Sequence, residues 1–82
     1  MTIHLKFVSR PYPRGFVTDL SMKDGSSAEE LAAAILCLPE FSGQTEEIFK
    51  GLVIIRNGQI VPKATPLQED DKIEMRKLMS GG

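Results

Sequence analysis

An α+β fold of four to five strands and one main helix is predicted by three observations. Segments of alternating polarity stand near both ends of the 82-residue chain. Between them a single stretch, Ser26 to Leu38, carries apolar residues at helical spacing. The β-branched run Leu52-Val53-Ile54-Ile55 is followed at once by Asn57-Gly58, a strong short-range signal for a tight hairpin.

Thr2 to Val8 alternates, with Ile3, Leu5 and Phe7 on one side and His4, Lys6 and Val8 on the other, as in a half-buried strand. The prolines and glycine of Arg10-Pro11-Tyr12-Pro13-Arg14-Gly15 turn the chain. Phe16 to Met22 returns as a second strand, with Phe16, Thr18, Leu20 and Met22 sharing one parity, so the two form a hairpin. Asp24-Gly25 then breaks the strand. Ser26 or Ser27 caps the helix, each with a glutamate three residues on, Glu29 or Glu30, to complete a capping box. Ala28, Leu31, Ala32 and Ile35 fall on one helical face, and Pro39 stops the helix near Leu38.

Glu40 to Lys50 reads as a loop with a short helical turn around Glu46 to Phe49. Leu52 to Ile55 and Gln59-Ile60-Val61 are the arms of the second hairpin, ended by Pro62. After Leu67 and the acidic cluster Glu69-Asp70-Asp71, Lys72 to Leu78 alternates again, with Ile73 and Met75 opposite Glu74 and Arg76. The order is therefore β-β-α-β-β-β, a single domain over residues 1–79 with a tail of residues 80–82.

Composition narrows the function. Ten Lys and Arg against eleven Asp and Glu, scattered rather than clustered, leave no phosphate-tracking stripe, so nucleic acid is not an expected partner. No apolar run approaches the ~20 residues that cross a bilayer, so no membrane association is expected. Met1 to Lys6 lacks the features of a secretion signal. One cysteine cannot form an internal disulfide, which fits a reducing, cytoplasmic setting. So small a domain buries only about 60–65% of its unfolded surface, and a large internal active site is not expected. His4 has no second ligand at metal spacing. Cys37 is expected to be buried, since cysteine is among the most buried residue types. The acidic cluster reads as a solvated turn, because hard cations want six or more converging oxygens.

The sequence ends on Ser80-Gly81-Gly82. A glycine pair has no Cβ, so its backbone passes where other residues cannot, and an enzyme's active site could reach the Gly82 carboxyl. Taken alone, such a pair is as well explained as a frayed end.

The element order, the hairpin Arg56-Asn57-Gly58-Gln59-Ile60-Val61, the segment Leu67-Gln68-Glu69-Asp70-Asp71-Lys72-Ile73-Glu74 and the terminal Gly81-Gly82 together resemble the ubiquitin-like β-grasp fold, which implies a mixed sheet of four to five strands packed on one main helix with a flexible C-terminal Gly-Gly tail. More closely they resemble the sulfur carriers of ThiS/MoaD type, the thiamine-pathway carrier and the small subunit of molybdopterin synthase. Nearly the whole chain is covered by the resemblance. Asp70 stands where the family usually has glycine, implying a wider or strained turn, and Lys77-Leu78-Met79-Ser80 replaces the family's frequent proline and aromatic residues.

The resemblance implies that this chain is not an enzyme and binds no cofactor itself. An ATP-dependent activating enzyme, an adenylyltransferase using ATP and Mg, would adenylate Gly82. A sulfur donor would then convert it to a thiocarboxylate for an acceptor synthase in molybdopterin, thiamine thiazole or related biosynthesis. Gly81 and Ser80 would thread the activating enzyme. If Leu52 and Ile54 face the helix, Val53 and Ile55 face outward and join Val8 and Leu78 in an apolar docking patch. Arg76, Lys77 and Met79 near the tail would add to it. Two other readings share the activation step or dispense with it: a ubiquitin-like modifier joined to lysines through Gly82, and a β-grasp interaction module without conjugation.

Overall fold

A computed structural model describes residues 1–78. Five strands form one mixed sheet: β1 (Thr2–Ser9), β2 (Tyr12–Ser21), β3 (Leu52–Arg56), β4 (Gln59–Val61) and β5 (Lys72–Lys77), with one helix, α1 (Ala28–Leu36). The strand order is β2-β1-β5-β3-β4. β1 and β5 lie parallel at the centre, and the remaining neighbours are antiparallel. The first and last strands of the chain are thus side by side, and β5 is hydrogen-bonded along both edges.

Register sorts the side chains onto two faces, because partners opposite each other on neighbouring strands point the same way. Leu5 lies opposite Thr18 and Ile73, and Phe7 opposite Phe16 and Met75. That face meets Ala28, Leu31 and Ile35 of α1, and these residues are buried with Ile3, Leu5, Phe7, Leu20, Ile73 and Met75. Leu52 and Ile54 pack against the same core, which places Val53 and Ile55 on the open face as the alternation requires.

Ser27 caps α1 with the expected capping box: its hydroxyl accepts from the Glu30 N–H while the Glu30 carboxylate accepts from the Ser27 N–H. The helix ends at Leu36, two residues before the sequence-based boundary, with Cys37 as its C-cap. The anticipated turn at Glu46–Phe49 is a 3₁₀ segment, and a second one covers Pro39–Phe41.

Three expectations are corrected. β2 begins at Tyr12, not Phe16. It is an edge strand, where Pro13 has no inner ladder position to disrupt. Tyr12 is also drawn in by an aromatic cluster, with ring centroids 5.0 Å from Phe16 and 5.3 Å from Phe41. Phe41 sits at the centre of that cluster, fully buried, edge-on to Phe7 at 5.2 Å. Cys37 is exposed rather than buried. Four residues beyond exposed Ala33, it continues the outer helical face. Asp71 is buried, not part of a solvated turn.

Candidate functional site

β5 ends at Lys77 in the middle of the sheet, between β1 and β3. Gly82, Gly81 and Ser80, which sequence reasoning placed in the reacting tail, and Met79, which it placed with the docking residues, lie outside the described residues. The surroundings of their point of departure are described. Val8 lies opposite Arg76 on β5, and Val53 lies opposite Arg76 from the other side. One step up, Lys6 lies opposite Val17 and Glu74, and Ile55 lies opposite Glu74 and Ile60.

The open face is therefore two apolar strips with a charged lane between them. Val53, Ile55 and Ile60 form one strip on β3 and β4; Val8 and Val17 mark the other on β1 and β2. Glu74 and Arg76 hold the lane, with Arg76 Nη1 donating to Glu74 Oε2 at 2.8 Å. Val17, Ile60 and Leu78 are the strongly exposed large apolar residues, at 71%, 60% and 60%. The anticipated patch of Val8, Val53, Ile55 and Leu78 is thus divided by the ion pair instead of continuous. Lys77 shares the parity of Ile73 and Met75 and faces Leu52 in register, so it departs on the helix side, away from Arg76.

Val17 and Ile60 were missed as members of this face, although the signals were present. Val17 has the opposite parity to Phe16, Thr18 and Leu20, and the two-residue Asn57-Gly58 turn forces Ile60 opposite Ile55. Asn57 and Gly58 have φ of 50° and 88°, the positive values that turn demands.

At the entry to β5 the chemistry is polar. The buried Asp71 carboxylate accepts from Arg56 Nε at 2.8 Å, Asn57 Nδ2 at 3.0 Å and the Gln68 backbone N–H at 2.8 Å. Asn57 Oδ1 in turn accepts from the Lys72 N–H. Burial pushes the Asp71 carboxyl up, but the hydrogen bonds from Gln68, Asn57 and Arg56 outweigh it and hold it below the usual carboxylate range. The preceding residue, Asp70, has φ of 64°. The place where the resemblance expects glycine is thus a left-handed position, and aspartate is one of the few other residues that tolerates it.

His4, on the open face as expected, lies between two carboxylates. Its Nδ1 is 2.7 Å from Asp19 Oδ1 on β2, and its Nε2 is 3.2 Å from Asp70 Oδ1. Hydrogen bonds to Asp19 and then to Asp70 raise its pKa above the ordinary histidine value. On the helix side, a cleft of about 630 Å³ runs between α1 and β3, floored by Ala32, Leu52, Ile54 and Met75. Among the described residues no group of three or more His, Cys, Asp and Glu side chains is placed to hold a metal ion. No helix among them is long and apolar enough to cross a membrane.

Comparison with known proteins gives the same fold. The family model described as the ThiS family matches residues 15–82. In three dimensions the chain is similar to the crystal structure of SAMP1 from Haloferax volcanii, with a TM-score of 0.73 and 11% sequence identity over 100% of both chains. The architecture is thus that of the β-grasp. A search of curated proteins by sequence finds no match.

Proposed function

This chain belongs to the ThiS family of ubiquitin-like carriers and modifiers, and on that premise we propose that it is a sulfur carrier whose Gly82 carboxyl is adenylated and then thiocarboxylated. The observation that carries the reading is the reach of the family match, from residue 15 to the terminal glycine pair, which follows the central strand β5 in the sequence. A carboxylate resists nucleophilic attack because of its charge. An activating enzyme overcomes this by letting a Gly82 oxygen attack the α-phosphorus of Mg-bound ATP, releasing pyrophosphate and forming an acyl-adenylate. Sulfide delivered by a donor adds to the carbonyl carbon, the carbon–oxygen bond to AMP breaks, and a thiocarboxylate remains.

In this scheme the chain is a co-substrate and supplies no acid, base or metal. Its own contribution is presentation. Ser80 and Gly81 give a slim approach to the adenylation site. Val53, Ile55 and Ile60 offer an apolar strip to the activating enzyme and later to the acceptor synthase. Arg76 and Lys77, leaving on opposite sides of the sheet, bracket the departing strand with positive charge for partner carboxylates.

Intact mass of the protein from its native cells, beside a Gly82-deleted control, tests this. A gain equal to replacement of oxygen by sulfur, absent from the control, is the expected result. Unmodified mass alone under sulfur-demanding growth would count against it, and isopeptide-linked species dependent on Gly82 would assign the modifier role instead.

A further inference from the structure

The His4 cluster lies at the entry of β5, away from its exit at Lys77, and has no part in the proposed carrier chemistry. Its geometry carries a consequence of its own. Both imidazole nitrogens are within hydrogen-bond distance of carboxylate oxygens, Asp19 Oδ1 and Asp70 Oδ1. An ionised carboxylate only accepts, and a neutral imidazole has one N–H, so both bonds exist together only when the ring is cationic. Asp19 and Asp70 are exposed, at 65% and 75%, and reach the ring from two different elements, β2 and the turn before β5.

We propose that His4 is a proton-operated clasp: protonated, it ties β2 to β1 and to the left-handed turn that enters β5, and deprotonated, it releases that turn. The shorter bond, to Asp19, is the one a single N–H keeps. Asp70 is then left facing a lone pair. The groups around the ring favour this order of events. Asp19 faces it from β2, and Asp70 from the turn. Glu69, whose carboxylate accepts from the Thr2 N–H, adds negative charge nearby. Lys72, the register partner on β5, and Lys6, two residues along β1, are the opposing cations.

Release has a structural path. Asp70 N–H donates to the Thr2 carbonyl at 2.8 Å and His4 N–H to the Asp71 carbonyl at 2.9 Å, so the turn is stitched to β1 on both sides of the clasp. Asp71 then holds Arg56 and Asn57 at the tip of the β3–β4 hairpin. Loosening at Asp70 thus reaches the hairpin that displays Ile60. Because the His4 pKa is raised, the clasp is fully closed below the ordinary histidine pKa, near ~6.5, and opens as pH rises through the higher native value.

Nuclear magnetic resonance titration of the intact protein tests the clasp. The His4 ring is expected to titrate above the ordinary histidine midpoint, and Asp70→Asn, which keeps the left-handed turn, to move that midpoint down. Amide exchange at Asp70 and Gln68, corrected for intrinsic pH dependence, should become several-fold faster on crossing the midpoint in the native protein and stay level in His4→Gln. A midpoint at or below the ordinary value, an unmoved midpoint in Asp70→Asn, or the same exchange profile in His4→Gln would each overturn the proposal. The titration of the native protein decides it even if a variant fails to fold.

Discussion

The two ends of β5 are built on opposite terms. At its entry, a buried carboxylate, a left-handed aspartate and a histidine between two acids bind the strand to β1, β2 and the β3–β4 hairpin. At its exit, Arg76, Lys77 and Leu78 are exposed, and among the described residues the ion pair there lies within the strand itself, between Arg76 and Glu74. Polar contacts thus concentrate at the entry, so under the proposed carrier role the two ends should be separable by mutation.

The largest expected effect breaks the exit without touching the entry. Deleting Gly82 should abolish thiocarboxylate formation altogether, seen as loss of the sulfur-dependent mass gain, while the thermal midpoint stays within experimental scatter of the parent. A bulky Gly81→Trp exchange should behave alike, because its cost falls in the partner's channel. A matched fall in stability would show that the tail packs on the domain and that the ends are not separable.

The second effect falls on the entry. Asp71→Ala strands Arg56 and orphans donors on Asn57 and Gln68, and removing one partner of a buried, hydrogen-bonded pair costs about 3 kcal/mol. For a domain of this size the melting temperature should drop by roughly 15 °C. The sign of the pH dependence follows from the lowered carboxyl: its stabilisation is present above the unfolded value near ~3.9 and is lost as pH falls through the lower native value. Acid titration of stability should therefore be shallower in Asp71→Ala than in the parent. Equal acid sensitivity would remove Asp71 as the anchor.

Elements defined by local pattern were legible in the sequence. The β1 alternation, a capping box at Ser26 or Ser27 and the Asn57-Gly58 turn all depend on residues a few positions apart, whereas the outward parity of Val53 and Ile55 was set only by the packing of Leu52 and Ile54 on the core. What escaped depends on distant partners. Phe41 looks like a loop residue until Phe7, Tyr12 and Phe16 converge on it from the β1–β2 hairpin. Asp71 reads as one of three solvated acids until Arg56 and Asn57 arrive from β3 and its turn. The division of the open face by Glu74 and Arg76 needed the register of β5 against β1 and β3, which alternation alone leaves open.

The smallest effect sharpens the comparison at the one residue where local strain and a distant ion pair meet. Asp70→Gly relieves the left-handed backbone, where glycine pays no Cβ penalty, but gives the unfolded chain more freedom to lose and removes a His4 partner. The first two terms do not change with pH near neutrality; the third does. A raised His4 pKa stabilises below about 6.5 and fades above the native value, so the exchange should cost most at pH 6 and least at pH 9. The difference in thermal midpoint between Asp70→Gly and the parent should narrow steadily across that range. If it is constant, the turn tolerates aspartate on backbone grounds alone and His4 does not stabilise it. If it narrows, the aspartate at this left-handed position is retained for its charge, and the entry of β5 is anchored in two ways: by a carboxylate that acid weakens and by a histidine that base weakens.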